Sequence, residues 1–401
     1  MKDGFIKVAA GVPRCTVADT AANTAEIKRL IDKADTEKIN LLALPELCIT
    51  AYTCGDLFFS QALLISAEKA LAEICEYTAG KYPIITVGVP LLYRSKLYNC
   101  ATVLQGGKIL GIVPKTYMPN YAEFYEQRQF SSGRSIEQNA EINICGVPAP
   151  FGTGLVFAHS EMPEYTFGIE ICEDIWAAAQ PSERLCRGGA NIVINPSASN
   201  EVIGKAVYRR TLVLSTSARL LCGYIYVSSG SGESTQDLVY SGHCIIAENG
   251  TTLAENKPFE EKELTVTEID VKKLAYERHK NTSFEPVTDV TFVKFNQEIR
   301  KTEITRPIDK APFVPSDKAA LSSRAEAILR IQSYGLKKRL EHTRAKTAVI
   351  GVSGGLDSSL ALLVAVRAMK KLGRPAGDIL AVTMPCFGTT RRTRTNAHRL
   401  A

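Results

Sequence analysis

The chain has 401 residues, 45% hydrophobic and 22% charged, which are the proportions of an ordinary globular protein with a large core. Its formal net charge is +6 and the basic residues are dispersed, which argues against a nucleic-acid-binding stripe or a polybasic membrane patch. No apolar run approaches the roughly 20 residues that span a bilayer. The N-terminal decapeptide MKDGFIKVAA lacks the apolar core of a signal peptide. We therefore expect neither a nucleic-acid partner nor a membrane partner.

The cysteines indicate the compartment. There are 11 of them, an odd number, and no two have the CxxC spacing. This pattern argues against a disulfide framework and against a structural zinc site. Free thiols are typical of a reducing compartment, so we predict a cytoplasmic protein.

Strands and helices alternate along the first two thirds of the chain. Strands are predicted at residues 5–10, 41–44, 84–89, 167–171, 191–195, 224–229 and 263–269. Asp19 is expected to cap a helix with one apolar face, and further helices are predicted near residues 63–74 and 205–221. Two hairpins are expected to turn at Gly106-Gly107 and around 248–250. The fold class is therefore α/β with mixed rather than purely parallel sheets.

The pattern changes after residue 277. Residues 278–318 contain four prolines and many polar residues, which is typical of a connector. Residues 319–401 then contain a predicted helix, a strand at 347–352, a helix at 360–371 and a strand at 378–383. One such unit is too small to close a sheet, so we predict that this second domain is cut short. The predicted domains are 1–277, the connector 278–318, and 319–401.

Three chemically reactive side chains each follow a predicted strand: Glu46, Lys115 and Cys172. Residues at the carboxyl ends of neighbouring strands converge on one edge of a sheet, where sites are usually built. A thiol, a carboxylate and an ammonium suit amide hydrolysis, with the thiol as nucleophile. A helix starting after Cys172 would favour its thiolate. Taken singly, each residue has a plainer interpretation: an inert buried thiol, a solvated loop acid and a surface lysine.

Four segments resemble the nitrilase, or carbon–nitrogen hydrolase, superfamily, and specifically the glutaminase domains of glutamine-dependent NAD synthetases. They are PELCITAYTCGDLF (45–58), PKTYMPNYAEFYEQR (114–128), GIEICEDIW (168–176) and NPSASN (195–200). The resemblance implies Glu46 as base and later acid, Lys115 as oxyanion stabiliser, and Cys172 as the nucleophile that forms a glutamyl thioester. It also implies an α-β-β-α sandwich that needs no cofactor and whose subunits pair into a homo-oligomer.

The same resemblance implies a glutamine pocket. Its lining would include Tyr52, Tyr121, Glu173 and Ser199, and Glu173 would hold the substrate α-amino group. Where similar enzymes place an Arg for the α-carboxylate, this chain has Lys205, which offers a point charge instead of a bidentate fork. A plainer interpretation of Glu173 is an acid that stabilises the start of a helix.

A second motif, SGGLDSS, lies between a predicted strand and a predicted helix. Glycines let the backbone approach a ligand, hydroxyls donate to anionic oxygens, and a helix N-terminus favours phosphate. The Gly-Lys pair of a Walker A loop is absent, and an ordinary capped helix start is the alternative. The motif resembles the pyrophosphate loop of ATP pyrophosphatases, which implies a doubly wound domain that uses ATP and Mg²⁺, with Asp357 as a metal ligand. The ATP-binding residues would be Ser353, Gly354, Gly355, Asp357, Ser358 and Ser359.

The two resemblances together imply a ligase. Glutamine would supply ammonia for the ATP-dependent amidation of deamido-NAD, and a chain with a shortened second domain would retain only the glutaminase half. Three alternatives stay open. They are a stand-alone nitrilase-family amidase with a non-functional nucleotide-binding remnant, a non-catalytic nucleotide-sensing module, and a ligase with another acceptor.

Overall fold

The computed structural model describes residues 1–401, which form two compact units, Met1–Arg306 and Pro307–Ala401. The first unit contains fifteen strands. In chain order they are β1 (Phe5–Gly11), β2 (Leu41–Ala43), β3 (Ile84–Tyr93), β4 (Lys96–Gln105), β5 (Lys108–Pro114), β6 (Ala140–Ile144), β7 (Val147–Phe151), β8 (Leu155–His159), β9 (Thr166–Ile169), β10 (Ile192–Ser197), β11 (Gly223–Ser228), β12 (Ile245–Glu248), β13 (Thr251–Glu255), β14 (Leu264–Asp270) and β15 (Thr291–Phe295). Its helices are α1 (Thr20–Thr36), α2 (Gln61–Tyr77), α3 (Pro181–Arg187), α4 (Lys205–Arg219) and α5 (Val271–Lys280).

The strands form two mixed sheets. The 8-stranded sheet has the order β14-β1-β2-β3-β4-β5-β7-β6, and the 7-stranded sheet has the order β13-β12-β11-β10-β9-β8-β15. In the first sheet β1, β2 and β3 are parallel, with Val8 opposite Leu41, whereas β3, β4 and β5 are joined by antiparallel hairpins. In the second, β9, β10 and β11 are parallel and form its centre.

The two sheets pack face to face with helices outside, because their strands are apolar on both faces. Alternate residues such as Leu41 and Ile192 point into the core between the sheets. Their neighbours point outward: Leu42 packs with α1 and α2, and Val193 packs with α4. This order of layers is the predicted α-β-β-α sandwich, and the prediction of mixed sheets is confirmed as well.

Local signals in the sequence explain several element boundaries. The Asp19 carboxylate accepts a hydrogen bond from the Ala22 backbone N–H at 3.0 Å and caps α1, as predicted. Gly106 and Gly107 have φ of 56° and 79° at the β4–β5 turn, a conformation that side chains with a Cβ rarely adopt. The hairpin predicted around 248–250 joins β12 to β13.

The predicted connector 278–318 is divided between the two units. Its first part wraps along the first unit, where β15 lies parallel to β8 at the edge of the second sheet. Arg306 ends this unit and donates to the Glu248 carboxylate at 2.7 Å and to the Glu268 carbonyl at 2.9 Å. That residues 1–277 act as a glutaminase and residues 319–401 as part of a synthetase stays a prediction.

The second unit contains α6 (Lys318–Thr343), β16 (Ala348–Gly351), α7 (Leu356–Lys371), β17 (Ile379–Val382) and α8 (Arg391–Leu400). The strands pair in parallel as a two-stranded sheet, so β16, α7 and β17 form one strand–helix–strand unit. A small core joins α6 and α7 through Leu340, Ala368 and Met369. In neither unit does a helix have the length and apolar character required to cross a membrane.

Candidate active site

Glu46 lies in the turn that follows β2 and is 1% exposed. Its Oε1 accepts a hydrogen bond from Asn99 Nδ2 at 2.6 Å, and its Oε2 accepts one from the backbone N–H of Ala198 at 2.8 Å. The turn packs against Gly88 of β3, where a Cβ would come within 2.1 Å of the Leu47 nitrogen. Gly88 therefore lets this carboxylate enter the interior, and the plainer interpretation of Glu46 as a solvated loop acid does not hold.

Lys115 follows β5 directly, is completely buried, and lies between two carboxylates. Its Nζ donates to Glu46 Oε1 and to Glu126 Oε1, each at 2.6 Å. Burial alone would lower the pKa of Lys115, but Glu126 and Glu46 raise it well above its ordinary value. Lys115 is therefore a fixed ammonium, which excludes the interpretation as a surface lysine.

Cys172 ends the segment after β9 with φ at 46°, a left-handed conformation that costs energy in a residue with a Cβ. The predicted helix does not begin here, because Cys172–Ile175 form only a single 3-10 turn. The Asp174 carboxylate accepts from the backbone N–H groups of Ile171 and Tyr117, both at 2.8 Å, which ties this turn to the segment that follows Lys115. The next helix, α3, begins only at Pro181.

The three side chains converge, but across two sheets rather than along one edge. Glu46 and Lys115 follow β2 and β5 of the 8-stranded sheet, whereas Cys172 follows β9 of the 7-stranded sheet. In the first sheet β3 and β4 separate β2 from β5. The expectation of neighbouring strands was therefore wrong. The site forms where the strand ends of two stacked sheets meet.

The expectation of a thiolate at Cys172 was also wrong. Burial raises the pKa of the Cys172 thiol well above its usual range, and the Glu46 carboxylate raises it further. Lys115 and the backbone N–H of Ala198 act in the opposite direction but do not compensate. Burial, with the neighbouring carboxylates, therefore keeps the proton on the resting thiol, which needs a base to remove it.

A cavity of about 460 Å³ opens directly onto Cys172. Four of the predicted glutamine contacts line it: Tyr121, Glu173, Ser199 and Lys205. The Tyr121 hydroxyl donates to Glu173 Oε1 at 2.8 Å, and burial raises the pKa of Glu173. The cavity is therefore lined by the Glu173 carboxyl group, the Lys205 amine and the Cys172 thiol.

Lys205 starts α4 and lies between two aromatic rings. Its Nζ is 5.4 Å from the centroid of Trp176 and 5.5 Å from that of Phe124, and it donates to Asn200 Oδ1. Burial lowers the pKa of Lys205.

Tyr52, the fifth predicted glutamine contact, does not line this cavity. Its hydroxyl donates to Glu126 Oε1 at 2.7 Å, and it lines a separate cavity of about 130 Å³ together with Glu126 and Tyr240. Tyr52 therefore contacts the Lys115 cluster through Glu126, from a cavity that shares Glu123 and Phe124 with the Cys172 cavity.

Residues 7–276 match the carbon–nitrogen hydrolase family model. The chain belongs to the carbon–nitrogen hydrolase family. Residues 328–401 match the NAD synthase model. The chain is similar to the glutamine-dependent NAD(+) synthetase of Mycobacterium bovis, with 37% identity over 99% of this chain and 60% of that protein. With the protein of the same name from Aquifex aeolicus the identity is 29%, over 96% of this chain and 62% of that protein. The chain thus spans about three fifths of the length of these curated relatives.

Solved structures agree on the fold of this carbon–nitrogen hydrolase. A glutamine-dependent NAD(+) synthetase from Cytophaga hutchinsonii matches with a TM-score of 0.58 and 22% identity, over 98% of this chain and 62% of that chain. A nitrilase-superfamily protein from Saccharomyces cerevisiae matches with a TM-score of 0.54 and 22% identity, over 70% of this chain and 95% of that chain.

Glu126 is a residue of this carbon–nitrogen hydrolase site that the sequence analysis did not single out. It is 5% exposed, and besides Lys115 and Tyr52 no residue bonds its carboxylate, which leaves Oε2 without a partner. Burial raises the pKa of Glu126 to about 7. The only sequence signal was its place in the segment 114–128, because it follows no strand and belongs to a polar, irregular run.

The SGGLDSS motif lies in the second unit, between β16 and α7. Gly354 has φ of 82°, and Ser353 and Ser358 share a hydrogen bond of 3.2 Å between their hydroxyls. Helix α7 begins after Gly355 with no side-chain cap, so the alternative of a capped helix start is not what these residues form. Asp357 and Gly355 are exposed, and a Cβ at Gly355 would meet only the Ser353 hydroxyl, at 3.5 Å. The Gly355 end of the loop is therefore open toward solvent, whereas Gly354 packs against α8, where a Cβ would come within 2.0 Å of the Thr393 carbonyl oxygen.

Proposed function

We propose that this chain hydrolyses the side-chain amide of glutamine through a Cys172 thioester, and that its ammonia serves the amidation of deamido-NAD. The observation that carries the proposal is the buried Lys115 ammonium held by Glu46 and Glu126 beside a thiol that opens onto a cavity lined by Glu173 and Lys205. Similarity to glutamine-dependent NAD(+) synthetases over 99% of the chain supports it.

The proposed reaction starts with proton transfer from the Cys172 thiol to the Glu46 carboxylate as the sulfur attacks the amide carbon. Lys115 stabilises the oxyanion, and it can do so because its charge is fixed. Glu46 then returns the proton to the leaving nitrogen, which departs as ammonia and leaves a glutamyl thioester. Water attacks the thioester with Glu46 as base, which releases glutamate and restores the thiol.

We assign the substrate anchors on the chemistry of the cavity. Glu173 binds the α-amino group of glutamine, and Lys205 binds its α-carboxylate, with Tyr121 and Ser199 as hydrogen-bond partners. Tyr52 acts on the substrate through Glu126, since its hydroxyl already donates to that carboxylate.

For the second unit we propose that the loop of Ser353, Gly354, Gly355, Asp357, Ser358 and Ser359 binds the phosphates of ATP. Its open backbone and the following α7 fit an anion, and the exposed Asp357 fits a Mg²⁺ ion bound through the phosphates. When bound, that ion would neutralise phosphate charge. The relatives are longer than this chain, so the complete ligase activity with deamido-NAD is part of this proposal.

We also propose a homo-oligomer in the cytoplasm. The apolar side chains of Ile203 and Val207 are fully or largely exposed at the start of α4, which supports self-association near the cavity. All 11 cysteines are free thiols, which supports a reducing compartment.

The direct test is release of glutamate and ammonia from glutamine, compared with asparagine and simple aliphatic amides. We expect glutamine to be preferred, because only it places both an α-amino and an α-carboxylate group at the required distance from the amide. A faster rate with an aliphatic amide would overturn the glutamine assignment and favour the stand-alone amidase.

Glutamine hydrolysis should depend on pH through Glu126. Because the pKa of Glu126 is about 7, its carboxylate gains a proton as the pH falls through neutrality, and Lys115 then loses one of its two anionic partners. We expect kcat to fall below pH 7 in the wild type and the inflection to disappear in Glu126→Gln. The same inflection in both proteins would assign it to another group.

Gly355→Ala should weaken ATP binding without disturbing the fold. The new methyl group meets no backbone atom but occupies the open face of the loop. Gly377→Ala, in the same unit, is the matched control, because a Cβ at Gly377 would meet no atom within 4 Å. Calorimetric titration of ATP with Mg²⁺ should show weaker binding for Gly355→Ala alone; equal affinity in both variants would contradict the assignment of the loop.

A further inference from the structure

Arg209 is among the largest fully buried side chains of the first unit, and it lies outside the catalytic cluster. It projects from α4 toward the 198–201 loop, the four residues that follow β10. Its Nη1 donates to Glu201 Oε2 at 3.0 Å, and its Nη2 donates to the Asn200 carbonyl at 3.3 Å. A weaker contact of 3.5 Å joins Nη2 to the Ser199 hydroxyl. One guanidinium therefore contacts three consecutive residues of the loop.

The 198–201 loop connects the catalytic base to the substrate cavity. At its start, the Ala198 backbone N–H binds Glu46 Oε2 at 2.8 Å. In its middle, Ser199 lines the cavity and Asn200 accepts a hydrogen bond from Lys205. A displacement of the loop would thus move a donor of the Glu46 carboxylate and a wall of the cavity together.

His243 fixes the direction of the Arg209 guanidinium. Arg209 Nη1 lies 2.8 Å from His243 Nδ1, and His243 Nε2 lies 3.0 Å from Glu255 Oε1. A guanidinium has only donors, so Nδ1 must accept and the proton of the neutral ring must be on Nε2, where it binds Glu255. This assignment follows from the hydrogen-bond pattern. Arg209 therefore requires His243 as a hydrogen-bond acceptor at Nδ1.

We propose that Arg209, oriented by His243 Nδ1, is a positioning residue for amide hydrolysis, because it holds the 198–201 loop against Glu46 and the substrate cavity. The inference rests on the proposed glutaminase reaction and adds to it two buried residues that touch neither the substrate nor the reacting atoms. Burial lowers the pKa of His243, which keeps the ring neutral; the Glu255 carboxylate opposes this shift and Arg209 adds to it.

The test compares two substitutions that differ in where they place an acceptor. The amide oxygen of Asn is attached to Cγ, as Nδ1 is in His, so His243→Asn retains an acceptor toward Arg209. The amide of Gln is one carbon further from Cα, near the position of Nε2 in His. It can therefore donate to Glu255 but offers no acceptor at the position of Nδ1, which Arg209 faces. We expect His243→Asn to retain kcat for glutamine and His243→Gln to lose about tenfold to 100-fold, the range for a small misplacement remote from the chemistry.

His279→Gln, an exposed histidine of α5, is the control for the substitution itself. Arg209→Lys provides a second measurement, since it keeps a charge for Glu201 but loses the simultaneous contacts, and its kcat should fall as well. Thermal unfolding should show folded protein in each case. If His243→Gln does not fold, the kcat of Arg209→Lys decides.

The pH dependence gives a readout that mere packing would not change. A second proton on His243 would be on Nδ1 and would face the Arg209 donor. The other charged groups around the ring are Glu201, Glu255 and Arg210, and Arg210 pairs with Glu255 at 3.4 Å. The ratio of the His243→Asn rate to the wild-type rate should therefore rise as the pH falls below 6.5, the ordinary His pKa. The ratio cancels any titration that both proteins share, including that of Glu126.

Equal kcat for wild type, His243→Gln and Arg209→Lys would overturn this inference alone. Equal losses in His243→Asn and His243→Gln would overturn the role of Nδ1. A wild type without any glutamine hydrolysis would overturn the proposed function first, and this inference with it.

Discussion

Replacing Cys172 by Ala is expected to reduce ammonia release from glutamine by about 10⁶-fold, the loss typical of removing an enzymatic nucleophile. Without the sulfur no thioester forms, and the buried carboxylates have no thiol to deprotonate. Coupled detection of glutamate and ammonia measures the effect. Cys75→Ala is the matched control, because Cys75 is a buried thiol on α2, outside the cavity. Undiminished hydrolysis by Cys172→Ala would exclude the thioester mechanism.

Alkylation gives an independent measure of the same residue. Iodoacetamide should inactivate the enzyme by modifying Cys172 through the cavity, and glutamine should protect it. Cys386 is exposed, and backbone and Thr389 hydrogen bonds lower the pKa of its thiol, so it will react as well. The experiment therefore belongs in a Cys386→Ala background, in which peptide mapping should find the label on Cys172. Full activity with Cys172 alkylated would contradict the assignment.

Lys115→Met is expected to lower the free energy of unfolding of the first unit by about 3–5 kcal/mol, the cost of leaving a buried charge without its partner. Two carboxylates, Glu46 and Glu126, would then face each other in the interior with no cation. Urea denaturation followed by tryptophan fluorescence measures this unit, because the only Trp of the chain, Trp176, lies in it.

Two further variants test whether the effect comes from charge. Lys33→Met removes a lysine that is 42% exposed and pairs with Glu263 at 3.1 Å, and it should cost only about 0–1 kcal/mol. The triple variant Glu46→Gln, Lys115→Met, Glu126→Gln has no charge left in the cluster and should recover part of the loss. It should remain inactive, since the base is gone. Equal losses for Lys115→Met and the triple variant would assign the effect to packing instead.

Much of the sandwich could be predicted from the sequence because its signals are local. Runs such as residues 41–44 and 191–195, the cap at Asp19 and the turn at Gly106-Gly107 depend on neighbours within a few residues. Strands β6, β7 and β8 were not predicted. The β6–β7 hairpin joins its sheet only where Phe151 pairs with Ile112, and β8 pairs with the distant β15 as well as with β9. Long-range pairing of this kind leaves little trace in a short window.

The sequence alone also determined the reactive residues of the proposed site, since Glu46, Lys115 and Cys172 each follow a strand within a motif of the carbon–nitrogen hydrolase family. It could not show which charges would share one interior. That the strand ends come from two sheets, that Glu126 joins Lys115, and that Cys172 rests as a thiol depend on burial and on distances between segments far apart in the chain. The sequence gives the type of each reactive residue and its order along the chain. The pKa of each group and the partner of each charge are properties of the packed structure, because the cost of burying a charge depends on everything placed around it.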